Sequence, residues 1–281
     1  MECTLYEKKA DRVQCKACSH RCIIAKGKTG ICGVRENKNG KLVSLLYGKV
    51  SAMQVDPIEK KPLFHFLPGT YTFSISGVGC NFKCAFCQNY HLSQTKKFDY
   101  LHDATPEQIV EKAQRSGCES ISYTYNEPTI FIEFVHDVAK LAQEKGLKNI
   151  LVTNGYMTKE CLEYIAPFVD AMNIDLKAFS NTFYHKICSA KLQPVLDTIK
   201  RAHEKGIHVE ITTLVIPDEN DKDFEKIAQF IASVDKNIPW HISRFFPMYK
   251  MLDKTATPID VLRKAEKIGK KYLKYVYIGN V

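Results

Sequence analysis

From residue 71 onward one rhythm repeats, and few folds accommodate it: short apolar or β-branched runs alternate with amphipathic stretches of helical period. The runs that read as strands are YTFSISG (71–77), SISYTY (120–125), NILVT (149–153), AMNIDL (171–176), VEITTLVI (209–216) and PWHISRF (239–245). Between them lie helical patterns such as ATPEQIVEKAQRSG, where Thr105 is placed to cap, Pro106 suits the first turn and Gly117 can end the helix. Six βα units are too many for a small sandwich and predict an α/β chain, either a partial or complete parallel barrel or an open doubly wound sheet. In both, the chemistry belongs at the C-terminal ends of the strands.

Residues 1–66 lack this rhythm and read as a small metal-stapled lobe with a hairpin-like connection around ENKNGKLVSLLYG, leaving 67–281 for the barrel. With 281 residues and 45% hydrophobic content the chain can bury one large core. The first thirty residues have no uninterrupted apolar stretch of the kind a signal peptide needs, and no run of eighteen apolar residues occurs, so a cytoplasmic chain without a membrane partner is expected. The formal charge of +9 is spread in short runs such as Lys60–Lys61, Lys96–Lys97 and Lys270–Lys271. These read first as a solvated basic face and second as a docking surface for an acidic electron-transfer protein; nucleic acid is the weaker partner.

Eleven cysteines in a long chain with no export signal favour metal over disulfides, because seven of them fall in two tight groups. Cys80, Cys84 and Cys87, spaced C-x3-C-x2-C, follow the first strand in SISGVGCNFKCAFCQNY. Three neighbouring cysteines fill three corners of a four-iron cluster and leave one iron open to a small-molecule ligand. Gly77 and Gly79 let the loop fold tightly around such a group.

This spacing resembles the signature of the radical SAM superfamily, in which the open iron binds the amino and carboxylate groups of S-adenosylmethionine (SAM). The resemblance implies a partial (β/α)6 TIM-like barrel, a [4Fe-4S] cluster on Cys80, Cys84 and Cys87, and Phe86 near the adenine. It extends along successive strand ends. Asn126 and Glu127 of YTYNEPT match the acidic motif that holds the methionyl ammonium. Thr153 and Asn154 of VTNG match the ribose or sulfonium contacts, and Asp175 and Lys177 of IDLK match the DLK of glycyl-radical activating enzymes. Each alone is weak, since a strand-end Asn-Gly is usually a turn and Asp-x-Lys usually a surface pair; in register they reinforce one another.

With DPIEKKPLFHFLPGT, TTLVIPDEND, PWHISRFFPMYK and YVYIGNV the whole chain resembles the radical SAM component of the AmmeMemoRadiSam system, a group similar to pyruvate formate-lyase activating enzyme. Two departures argue against peptide-glycine activation: Thr212 stands where the activases carry an arginine, and Tyr249 where they carry a histidine. Relatives in that group usually continue past YIGNV with another cysteine pair, whereas this chain stops at Val281, an end that reads as either natural or truncated. The expected activity is reductive cleavage of SAM to a 5′-deoxyadenosyl radical that takes hydrogen from an unidentified substrate. A one-electron donor such as ferredoxin or flavodoxin is implied, and a protein substrate is one option. The rival readings are a glycyl radical enzyme activase and, in a different class, a zinc-ribbon binding module.

Cys15, Cys18, Cys22 and Cys32, spaced C-x2-C-x3-C-x9-C, can close a tetrahedral zinc site, hold a second cluster, or leave a set of three cysteines with His20. Cys3, Cys118, Cys161 and Cys188 are isolated and read as small apolar residues. His65 and His241 sit in apolar runs and read as core or pocket-wall histidines, while Tyr249 is expected in the pocket.

Overall fold

Thr105 illustrates how local chemistry sets an element. Its hydroxyl accepts the Gln108 N–H (3.3 Å) while the Gln108 side chain accepts the Thr105 N–H (3.0 Å), so two donors left over at the helix start are satisfied reciprocally. Pro106 needs no donor there, and Gly117, at φ +66°, turns the chain away after the helix Pro106–Arg115. The protein is described by a computed structural model covering residues 1–95 and 97–281; Lys96 of the Lys96–Lys97 run lies outside the described residues.

The N-terminal region holds β1 (Tyr6–Lys9), β2 (Arg12–Cys15) and β3 (Ile23–Ala25) in one antiparallel sheet. A hairpin of β4 (Arg35–Lys38) and β5 (Lys41–Ser44) follows, turning through Asn39 and Gly40, both at positive φ. After the short β6 (Lys49–Val50), β7 (Ala52–Pro57) enters the main sheet antiparallel to β8 (Tyr71–Ser76). Then come α1 (Tyr90–Ser93), β9 (His102–Asp103), which pairs with β6, α2 (Pro106–Arg115), β10 (Ser120–Tyr123), α3 (Ile132–Glu144) and β11 (Lys148–Thr153). The chain continues through α4 (Lys159–Ile165), β12 (Ala171–Asp175), α5 (Asn181–Phe183), α6 (Gln193–Glu204) and β13 (His208–Val215). It ends with α7 (Phe224–Val234), β14 (Trp240–Arg244), α8 (Ile259–Gly269) and β15 (Val276–Gly279).

The main sheet runs β7-β8-β10-β11-β12-β13-β14-β15, parallel throughout except at β7. Each parallel strand joins beside its predecessor and the order never reverses. A doubly wound sheet requires such a reversal, so the sequential order selects the barrel, and the missing β15–β7 pairing leaves it partial. All six expected strands are present. Two more flank them, β7 and β15. Strand β10 is buried at every position, as a parallel strand covered on both faces must be.

The segment between β7 and β8 plugs the barrel at the start of its strands: Ile58 and Leu63 pack on Ile150 and Ala171. Buried Glu210 holds this plug, accepting the backbone N–H of Phe64 (3.1 Å) and His65 (2.8 Å) and the Nε2–H groups of His208 (3.0 Å) and His241 (2.6 Å). A carboxylate only accepts, so both imidazoles carry their proton on Nε2. Burial raises the Glu210 pKa, but the two histidines and two backbone donors outweigh it and bring it down from 4.5 to about 2. A depressed carboxylate stabilises the fold above its unfolded pKa and loses that contribution as pH falls toward the folded value. Glu210→Gln is therefore expected to remove roughly 3 kcal/mol of the stability that the wild type loses between about pH 4.5 and 2, measured by urea unfolding of both proteins across that range. Equal pH slopes would contradict it. Among the described residues no helix is long and apolar enough to cross a membrane.

Candidate active site

The loop after β8 is fixed by one amide. The Gly77 N–H donates to Asn126 Oδ1 (3.1 Å) and Asn126 Nδ2 donates to the Gly79 carbonyl (3.3 Å), bracketing the turn that precedes Cys80. Gly79 has φ +82°, and a Cβ there would stand 2.6 Å from the Cys32 carbonyl, so only glycine lets the N-terminal region close on this loop. Backbone bonds from Lys83 to Cys188 (2.9 Å), Ala85 to Ile187 (3.0 Å) and Lys250 to Ala85 (2.9 Å) hold the other side.

Cys80, Cys84, Cys87 and Phe86 line a cavity of about 690 Å³ over the strand ends. Burial and the Glu127 carboxylate push the Cys80 thiol pKa up, and burial does the same to Cys87. For Cys84 the nearby Cys188 thiol and burial push the pKa well above the usual thiol value, and the sequence offers no reason to connect these two cysteines. Among the described residues no three His, Cys, Asp or Glu side chains converge on one metal-ion position. Three thiols from one loop suit a cluster, which puts each thiolate on its own iron. Asn81 supports the fit: its buried Nδ2, next to Cys80, has no partner and is free to donate to a sulfur.

Asn126, Glu127, Thr153 and Asn154 line the same cavity, as do Asp175 and Lys177. Glu127 is buried and accepts from the Thr129 N–H (3.1 Å) and hydroxyl (2.5 Å), the Thr153 hydroxyl (2.7 Å) and the Asn154 N–H (2.8 Å). Burial nevertheless holds its pKa above the ordinary carboxylate value. A negative, desolvated group with fixed orientation attracts a cation strongly. Asn154 Nδ2 donates to Asn81 Oδ1 (2.7 Å), joining this carboxylate layer to the cysteine loop. Lys177 Nζ meets Asp175 Oδ2 at 2.8 Å and lies 5.6 Å from the centre of the Phe86 ring. Burial alone would lower the Lys177 pKa, but Asp175 and the nearby thiols lift it well above the usual value.

Tyr249 is not among the residues that line the cavity. It adopts φ +56° and stacks on Tyr90 (centroids 4.7 Å, 13° between planes). His65 is exposed and bonds Tyr277 (2.7 Å), so it is neither core nor pocket wall, whereas His241 does line the cavity. Lys61, read as part of a solvated basic run, is buried against Asp56 (2.7 Å) and under the Tyr125 ring (4.5 Å) at the cavity wall.

Comparison with known proteins agrees with this geometry. An uncharacterized protein of Methanocaldococcus jannaschii is 47% identical over the whole chain and 85% of its own length. A second protein of that organism, provisionally named a glycyl-radical enzyme activating enzyme, is 33% identical over 70% of this chain and 76% of its own. A domain of pyruvate-formate lyase-activating enzyme from Bacteroides vulgatus superposes with a TM-score of 0.52 at 20% identity, over 57% of this chain and 99% of that one, and shares the fold. Residues 74–231, more than half of the chain, match the radical SAM superfamily; the chain belongs to that superfamily and is an enzyme of its iron–sulfur and SAM-dependent chemistry.

Proposed function

We propose that Cys80, Cys84 and Cys87 hold three irons of a [4Fe-4S] cluster and that the cavity beside them binds SAM. The chemistry supplied there is chelation of the methionyl end of SAM and one-electron cleavage of its carbon–sulfur bond, giving methionine and a 5′-deoxyadenosyl radical that takes hydrogen from a substrate. Support comes from one observation above all: three thiols, a buried carboxylate and an Asp–Lys pair from separate strand ends face one cavity large enough for a cofactor-sized ligand. In this reading residues 67–281 form most of the catalytic barrel, β7 and the plug that follows it add to it from within 1–66, and the rest of 1–66 is a lobe that closes on it.

Glu127 receives the methionyl ammonium, kept rigid by its four donors. Thr153 and Asn154 orient that carboxylate and line the path toward the ribose. Phe86 offers an apolar wall to the adenine, while Asp175 and Lys177 supply one acceptor and one donor to the polar edges of SAM. The apolar barrel wall keeps water from the radical. A one-electron donor, a small acidic protein of the ferredoxin or flavodoxin kind, suits the net charge of +9. Activation of a glycyl radical partner is a second reading, favoured by the 33% identical relative's name; Thr212 in the cavity wall, where an activase carries arginine, weighs against it.

The test is anaerobic incubation of the iron-loaded protein with dithionite and SAM. Release of 5′-deoxyadenosine and methionine is expected; iron-loaded protein that leaves SAM intact overturns the proposal. Glu127→Gln is expected to weaken SAM binding about 10- to 100-fold, since hydrogen bonds to charged groups contribute about 1.5–3 kcal/mol. Equilibrium dialysis with iron content measured in parallel checks it, and unchanged affinity at full iron occupancy would remove Glu127 from the site.

A further inference from the structure

We infer that the outer face of the Cys80–Cys87 loop is a docking surface for a small acidic protein that delivers single electrons, received there by Lys83, Lys186, Lys191 and Lys250. The inference rests on the reading of the triplet as a cluster site and adds where the donor binds.

Three stretches of chain meet at this loop. The Lys83 N–H donates to the Cys188 carbonyl (2.9 Å), the Ala85 N–H to the Ile187 carbonyl (3.0 Å) and the Lys250 N–H to the Ala85 carbonyl (2.9 Å). Lys83 thus sits within the triplet, Lys186 and Lys250 stand next to it, and Lys191 follows three residues beyond Cys188. Lys186, Lys191 and Lys250 are exposed and Lys83 is half-buried. Residues 80–95, 178–196 and 245–252 contain no aspartate or glutamate, against 31 in the 281 residues of the whole chain. Of the carboxylates that bound these stretches, Asp175 is committed to Lys177 (2.8 Å), and Asp253 stands at the edge. Among the described residues no carboxylate lies within ion-pair distance of the four lysines, whereas Lys60, Lys61 and Lys254 each meet one. Their charge is therefore uncompensated locally, and its field reaches into solvent.

The face also offers an aromatic surface beside its charges. Tyr90, 40% exposed, lies flat on Tyr249, and Lys250 Nζ is 5.4 Å from the centre of the Tyr249 ring. Contact patches of protein interfaces combine these features, an aromatic centre with charge toward the rim. Basic and aromatic groups together also suit a nucleic acid; the loop beneath them favours the electron donor. Electron transfer requires two redox groups to come close, and this loop is the chain nearest the cluster it holds, with Cys80 and Cys87 only partly buried. No bond forms or breaks in the step: one electron leaves the reduced iron of the donor, which is oxidised, and the cluster is reduced. Opposite charge on the two partners speeds the encounter by about 10- to 1000-fold and makes it sensitive to salt.

The test uses the full chain, reconstituted anaerobically with iron and sulfide, and a strongly acidic [2Fe-2S] ferredoxin as the probe. Two charge reversals of equal size are compared: Lys186→Glu/Lys250→Glu on this face, and Lys226→Glu/Lys267→Glu at exposed positions of α7 and α8. Calorimetric titration reads binding, and stopped-flow absorbance reads reduction of the protein by reduced ferredoxin. At low ionic strength both are expected to fall about 10-fold or more in the first variant and to stay near wild type in the second, and the difference shrinks in roughly 0.5 M salt. SAM cleavage driven by excess dithionite is expected to be equal in all three proteins. A first variant that binds ferredoxin and is reduced as well as wild type overturns the inference, as does an equal loss in both variants. A face that binds a single-stranded oligonucleotide and no ferredoxin overturns it too. Wild type that binds ferredoxin through these lysines yet leaves SAM intact with dithionite keeps the docking surface and sinks the proposed function, so the two failures are distinct.

Discussion

Cys84→Ala is expected to stop 5′-deoxyadenosine formation, lowering the rate more than about 100-fold, since loss of even the outer partners of metal ligands costs about 10- to 100-fold. Cys84 is buried in the cavity wall with its backbone fixed by the strap around residues 187–188. No neighbouring thiol takes its place: Cys188 lies near it but does not line the cavity. Cys188→Ala should accordingly keep most of the activity. Chromatographic measurement of 5′-deoxyadenosine from equal amounts of the three proteins separates the cases. Wild-type turnover by Cys84→Ala would remove the triplet from the chemistry.

Arg35→Ala should cost about 3–5 kcal/mol of stability, because it leaves Glu133 charged and buried. The pair is bidentate and both side chains are almost wholly enclosed, 1% and 2% exposed. It links β4 of the N-terminal lobe to the first turn of α3, and Glu133 also accepts the Thr4 N–H (3.2 Å). The double change Arg35→Met/Glu133→Leu removes both charges and is expected to be far milder, within about 1–2 kcal/mol of wild type. Urea unfolding of the single and double variants measures the difference. A single variant as stable as the double would show that the pair contributes through packing alone.

The barrel was legible because its signals are local. A buried parallel strand such as SISY reads as apolar and small on both faces, and Thr105-Pro106 with Gln108 announces a helix start within four residues. Strand β7 escaped because it pairs antiparallel, keeps five of six residues at least partly exposed, and ends on a proline, so AMQVDP has neither buried-strand composition nor clean alternation. The YVYIGNV segment is a motif in the sequence, yet its pairing with β14 depends on the whole barrel having formed.

At the site, the triplet and the strand-end polar residues were visible because a parallel barrel brings successive strand ends together. Side-chain direction was not. Asn126 spends its amide on the Gly77–Gly79 turn, and Tyr249 rotates onto Tyr90 through a left-handed backbone that a tyrosine gives no hint of. The proximity of Cys84 and Cys188 and the Glu210–His241 pair join residues far apart in sequence, so only the folded barrel reveals them. The spacing of the N-terminal cysteines is equally compatible with zinc and with iron.

The most direct test of the account is electron paramagnetic resonance of the reconstituted, dithionite-reduced protein with and without SAM. The account predicts a reduced four-iron signal that shifts when SAM is added, because one iron on the Cys80–Cys84–Cys87 cluster is open to it. A reduced spectrum that SAM leaves wholly unchanged, or a protein that takes up no iron, would contradict it.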